Sequence, residues 1–143
     1  MLVKQLSVFV ENKFGRLETI ISHLAKNNIN ISALSMADTA DFGILRIIVD
    51  DPEKAQLILR EEGVIAKCTE VLAIVMDDAA GGLANILKLL TKEEISIEYM
   101  YAFVGKIDGH ALMVIKVSDA KKTEEIFARQ GIPMPNPADI YRI

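Results

Sequence analysis

The stretch NKFGRL at residues 12–17 returns 66 positions later as DAAGGL at 78–83, with the glycine and the leucine in the same places. A shift of 66 lays Gly15 on Gly81, Leu17 on Leu83, Ile20 on Ile86, Leu24 on Leu90, Lys26 on Lys92, Ile29 on Ile95 and Ile31 on Ile97. Further along the shift becomes 68, so that Asp51 meets Asp119, Ile58 meets Ile126, Leu59 meets Phe127 and Gly63 meets Gly131. Self-similarity of this kind decides the architecture before any single element is assigned. The two extra residues of the second copy fall around VGKIDGH (104–110), where a surface turn absorbs an insertion most easily.

Periodicity identifies the elements within each copy. LVKQLSVFV (2–10) and EVLAIVM (70–76) read as first strands. Leu17, Ile20, Ile21 and Leu24 follow at helical spacing, a stripe that Leu83, Ile86, Leu87 and Leu90 repeat and that belongs to a core. NINISALSM (28–36) and SIEYMYAFV (96–104) read as second strands. After a polar turn come ILRIIVD (44–50) and HALMVIKV (110–117) as third strands. A second helix opens at Asp51 and Pro52: the carboxylate can cap it, and proline suits the first helical position because its absent N–H would find no intrahelical partner there. Gly63 and Gly131 stand where the second helices end in a left-handed turn. VIAKC (64–68) is the expected fourth strand of the first copy and DIYRI (139–143) that of the second.

Strand, helix, strand, strand, helix, strand is the split ferredoxin-like unit, an antiparallel sheet with both helices on one face. The expected fold is therefore α+β, two tandem ferredoxin-like βαββαβ units over residues 1–69 and 70–143. A unit of roughly 70 residues is marginal alone, since it buries little more than about 60% of its unfolded surface, so the two are expected to pack together. The segment IPMPNPADI has proline at 133, 135 and 137, which forbids helix and central strand across it.

Composition narrows the function. The net charge is −4, with eight basic and nine acidic residues up to Cys68 and eight and eleven after it, so neither half offers the basic footprint of a nucleic-acid binder. The single Cys68 cannot form an internal disulfide and, in an apolar stretch, reads as a small core residue of a reducing compartment. The N-terminus lacks the apolar run of a signal peptide, and no uninterrupted apolar segment approaches the ~20 residues of a membrane span. A cytoplasmic protein, with no membrane partner and no nucleic acid, is expected.

A strand that turns on glycine into a helix leaves the first helical N–H groups pointing outward, where the positive end of the helix dipole favours an anion such as a carboxylate. Glycine also serves simply to permit a tight turn, and duplication copies structural needs as readily as functional ones. Catalytic groups are sparse. His23, His110 and Cys68 have no metal-ligand spacing, and no metal or other cofactor is expected. The pairs Glu61–Glu62, Glu93–Glu94 and Glu124–Glu125 are helical neighbours that do not face one another. Tyr99, Tyr101 and Phe103 alternate on one strand face, yet Glu98 and Asp108 flank them, which suits a core or interface layer better than an RNA platform.

The order of elements, with NKFGRL and DAAGGL between first strand and helix, resembles the ACT domain, whose turn often reads DxPGxL. Asn12 and Asp78 stand at the acidic position, Gly15 and Gly81 at the glycine, Leu17 and Leu83 at the leucine, and Phe14 and Ala80 replace the proline. The apolar strands NNINISAL and EEISIEYM carry the second part of the resemblance. It implies a non-catalytic regulatory module, allosteric in action, that binds a small amino acid or related metabolite at interfaces between domains. It further implies pairing into a homodimer and service to a separate metabolic enzyme. Carried over by position, one turn is Asn12, Lys13, Phe14, Gly15, Arg16 and Leu17, and the other is Asp78, Ala79, Ala80, Gly81, Gly82 and Leu83. Amides after Gly15 or Gly81 would hold a carboxylate, Asn12 or Asp78 an ammonium group, and Asn30 and Ser96 a further polar group. The alternative is an acylphosphatase-like hydrolase, which uses an arginine and an asparagine beside an anion-cradling loop; Arg16 with Asn30 or Asn12 would supply that pair.

Overall fold

The computed structural model describes residues 2–38 and 41–142. Met1, Thr39, Ala40 and Ile143 lie outside the described residues, and with them part of the expected polar turn and the last residue of the expected final strand. The element order is β1 (Leu2–Glu11), α1 (Arg16–Lys26), β2 (Ile31–Asp38), β3 (Phe42–Val49), α2 (Pro52–Glu61), β4 (Ala66–Met76), α3 (Gly82–Lys92), β5 (Ile97–Ala102), β6 (Ala111–Val117), α4 (Ala120–Arg129) and α5 (Pro137–Ile140). The fold is α+β, two tandem ferredoxin-like units. One compact unit holds Lys4–Thr69 with Tyr141 and Arg142, the other Glu70–Ile140 with Leu2 and Val3.

In the first unit β3 lies between β2 and β1, antiparallel to both, with Leu6 opposite Ile47 and Leu34 opposite Ile47 on its two sides. Period-2 alternation puts Leu6, Val8 and Val10 of β1 with Leu45, Ile47 and Val49 of β3 in one core. Ile20 and Leu24 of α1 and Ala55, Ile58 and Leu59 of α2 close it from the same side. The second unit repeats the plan: β6 lies between β4 and β5, and Leu72, Ile74, Ile115 and Val117 meet Ile86, Leu90, Ile126 and Phe127. Each inner Leu or Ile side chain so buried contributes roughly 1.5–3 kcal/mol.

The helix starts divide into two kinds. Asp51 and Asp119 cap α2 and α4, each accepting from the backbone N–H three residues on, Lys54 and Lys122, at 3.0 Å. Such caps stabilise by about 1 kcal/mol. In contrast α1 and α3 begin after left-handed Gly15 (φ 78°) and Gly81 (φ 90°), and no side chain caps either. Gly63 and Gly131 take the left-handed conformation at the ends of α2 and α4, as the sequence pattern requires.

Four expectations need correction. VIAKC and EVLAIVM are not two strands: Ala66–Met76 is one continuous strand, because nothing between Cys68 and Glu70 breaks an extended backbone. The described part of DIYRI, residues 139–142, forms no strand; Pro137 instead opens the single turn of α5, since proline is tolerated at a first helical position, and the segment is thus not barred from helix throughout. The place beside β4 goes to the proline segment, whose Pro133 carbonyl accepts from Val75 N–H at 2.9 Å. That bond is the counterpart, under the shifts of 66 and 68, of Phe9 N–H to Ile65 C=O at 3.0 Å in the first unit. Finally, Cys68 is exposed rather than buried: it lies in a stretch of β4 where Lys67 and Glu70 are exposed as well, so both faces of the strand meet solvent there.

Candidate functional site

Both glycine turns are built alike. In the first, Arg16 N–H donates to Lys13 C=O (3.2 Å) and Thr19 N–H to Gly15 C=O (3.1 Å); in the second, Gly82 N–H donates to Ala79 C=O (3.0 Å) and Asn85 N–H to Gly81 C=O (3.0 Å). The first helical amide is thereby used within each turn. The next two, of Leu17 and Glu18 or of Leu83 and Ala84, meet no capping side chain. The leucine of each motif, expected in the core stripe, is instead exposed at 38% (Leu17) and 36% (Leu83), since it sits on the first turn before the helix reaches the sheet. Phe14 is fully exposed at the tip of its turn.

The turns differ in tightness and charge. A Cβ on Gly82 would stand 2.2 Å from the Asp77 carbonyl oxygen, so this turn accepts only glycine there, whereas the equivalent Arg16 has a full side chain. Asp78 forms an ion pair with Lys106, and His110 Nε2 lies 3.9 Å from Asp77 Oδ1. The hydrogen bond from Lys106, then its charge, holds the Asp78 carboxyl below the ordinary aspartate range. At the first turn Lys13 pairs with Glu11 at 2.9 Å, and its hydrogen bond and charge lower the Glu11 carboxyl in the same way.

Lys106 and His110 belong to the β5–β6 connection, which the sequence shows only as a longer turn. Paired backbone bonds between Ile107 and His110 (2.8 and 3.3 Å) fold it over the second turn. A cleft of about 340 Å³ lies beneath, lined by Val75, Asp77, Ile107, His110 and Pro133 among others. The carboxylate assigned to a ligand's ammonium group, Asp78, is therefore already met by the chain's own ammonium group.

Asn30 and Ser96 do not join their own turns. Glu11 opposite Phe42 and Asp38 opposite Gly43 mark the end of the first sheet that carries the Gly15 turn, and Ile31 opposite Val49 marks the other end, where Asn30 lies. A six-residue strand separation is about 20 Å. At that far end the Asn30 amide donates to Asp50 Oδ1 (3.0 Å), and the Ser96 amide to Ser118 Oγ (3.2 Å) in the second unit. Within one unit neither can touch a ligand seated on the turn. The same separation keeps Arg16 and Asn30 from forming an arginine–asparagine hydrolytic pair.

His23 Nε2 lies 3.3 Å from Glu62 Oε1, bridging α1 to the end of α2. Tyr101 and Phe103 are buried, 9% and 7% exposed, and Tyr99 stacks on Tyr101 at 6.4 Å, so this stripe is not open to bases. Among the described residues no group of three or more His, Cys, Asp or Glu side chains could hold a metal ion, and no helix is long and apolar enough to cross a membrane.

The family model described as ACT domain pair matches residues 1–139. Protein BT0572 from Bacteroides thetaiotaomicron is 41% identical, with a TM-score of 0.93 over 100% of this chain and 98% of that one. The ligand-free regulatory subunit of aspartate kinase from Thermus thermophilus is similar in fold at 15% identity, TM-score 0.63, over 87% of each chain. The corresponding subunit from Thermus flavus has 14% identity and TM-score 0.61 over 90% of each chain. No curated protein sequence matches. A duplicated ferredoxin-like unit, a left-handed glycine opening each leading helix and a family match over nearly the whole length lead to one conclusion: the chain belongs to the ACT domain pair family.

Proposed function

We propose that the chain is a non-catalytic regulatory module, two ACT domains divided after Thr69, that holds a small amino acid or related metabolite on its glycine turns against a neighbouring ACT domain. The observation that carries this reading is the contrast in helix starts: α2 and α4 are capped by Asp51 and Asp119, while α1 and α3 keep uncapped amides behind left-handed glycines. Uncapped amides at the positive end of a helix attract a carboxylate. Arg16 strengthens that attraction at the first turn. Asn30 and Ser96 would reach such a ligand only from another domain or a second copy of the chain, which fits a homodimer. Exposed Phe14, Leu17 and Leu83 give that pairing apolar surface.

The aspartate kinase neighbours are regulatory subunits of an enzyme, and by analogy of fold the partner here is a separate metabolic enzyme in the cytoplasm. A ligand that prefers one arrangement of the domains shifts its population and so transmits a signal. Thermal unfolding with each of the twenty proteinogenic amino acids tests the reading. A ligand at 100 times its dissociation constant stabilises by about 2.7 kcal/mol and should raise Tm by roughly 5–10 °C. If none of the twenty moves Tm, amino-acid sensing is ruled out as the function.

A further inference from the structure

A second kind of site stands on the helical side of the first unit, away from the tip of the Gly15 turn. Between α1 and the end of α2 lies an open cleft of about 330 Å³. That is the lower end of the range of small-molecule sites. Ile20, Leu59 and Val64 form its floor, and Arg16, Thr19, His23 and Lys26, spaced three or four residues apart, run along one face of α1 as its wall. Glu62 closes it from the α2 side.

The charges in this cleft are unequally satisfied. Glu18 accepts from Ser22 Oγ at 2.7 Å, and Glu62 is engaged by His23. Arg16 and Lys26 form no ion pair among the described residues; Arg16 acts on Glu11 only as a more distant charge. Both carboxylates thus have donors, and the two permanent cations lack carboxylates. Arg16 also stands on the first residue of α1, where the helix dipole adds to its charge.

The duplicated unit serves as an internal control. At the positions of Arg16, His23 and Glu62 the second unit has Gly82, Leu89 and Gln130, and Leu89 packs against the second core. The fold is therefore built equally well without the polar lining. What the first unit carries there answers to something other than folding. We propose that the α1–α2 cleft of the first unit binds a small metabolite through a terminal carboxylate or phosphate, seated on Arg16 with Thr19 and His23 beside it. Planar Arg suits either group, because both present paired oxygens to its donors.

The test is titration of the full chain with inorganic phosphate and, separately, with succinate, followed by amide chemical shifts. Saturable binding of either anion is expected, with shifts at Thr19, His23, Glu62 and Val64 rather than at Asn12–Gly15. The arm that binds names the anion. His23→Leu and Arg16→Gly should each weaken it about tenfold, the loss of one charge-assisted contact. Glu62→Gln should tighten it severalfold by removing a competing carboxylate. All three substitutions install the second unit's own residue, so the fold tolerates them, and urea unfolding of each variant verifies this. The proposal is overturned if neither anion saturates below about 10 mM, if shifts cluster on the Gly15 turn, or if His23→Leu and Glu62→Gln leave affinity unchanged. Shifts confined to the turn would still favour the proposed amino-acid site, so the two readings fail separately.

Discussion

The turn at Gly15 and the turn at Gly81 share backbone and differ in almost everything attached to it. The first is open, bears Phe14 and Arg16, and pairs Lys13 with Glu11. The second is pressed against the Asp77 carbonyl and roofed by a hairpin whose Lys106 takes Asp78. Two sequences can therefore keep one conformation while presenting opposite surfaces: the left-handed glycine fixes the path of the chain, and the neighbouring side chains fix what that path offers to a ligand.

Exchange of the residue after each glycine should break the equivalence most severely. Gly82→Arg forces a Cβ into the Asp77 carbonyl and should cost about 3 kcal/mol or more in urea unfolding, whereas Arg16→Gly should cost no more than about 1 kcal/mol, the usual helix-propensity penalty. Replacement of the left-handed glycines themselves should restore the likeness. At Gly15 and Gly81 an added Cβ meets nothing within 4 Å, so Gly15→Ala and Gly81→Ala should each lose about 1–2 kcal/mol for backbone conformation alone, equally in both turns.

Removal of the roof sharpens the contrast at lower energy. In Lys106→Ala the Asp78 carboxyl should titrate closer to its ordinary value of 3.8 when followed by carbon-detected NMR. In the wild type its folded value is depressed. The pair's contribution is thus fully present above the ordinary aspartate range and is lost as pH falls through the lowered value, below 3.8. The variant should lack that acid-side dependence. Both groups are half-exposed, so the effect on stability should be small and should fade with salt. The smallest change lies at the foot of the leading helices, where Asn28 (φ 61°) and Glu94 (φ 57°) are both left-handed. Asn is at ease there and Glu is not, so Glu94→Asn should raise stability by about 0.5 kcal/mol, visible as a small rise in Tm.

The helices and central strands were legible in the sequence because the repeat reinforced each periodic signal. Ile20 with Ile86 and Leu24 with Leu90 mark the same buried stripe twice. The weak points were places where one local signal had two outcomes. VIAKC and EVLAIVM carry strand patterns with no breaker between them, and a continuous strand follows. DIYRI alternates like a strand, but Pro137 starts a helical turn first. At the site, the glycine turns could be placed because positive φ has a residue signature. Lys106 on Asp78 and His23 on Glu62 could not, since both are contacts between residues 28 or more positions apart. The exchange of His23 for Leu89 and of Glu62 for Gln130 was the available clue to the cleft.

Pro133 shapes a margin of the second unit's sheet. Its carbonyl completes a bond to β4, but neither it nor Pro135 has an amide hydrogen to give, and the segment is at least partly solvent-accessible. A margin so poor in donors makes a bad template for another extended chain. Growth of filaments by strand addition is disfavoured along it, and concentrated solutions of the protein should resist that route to aggregation.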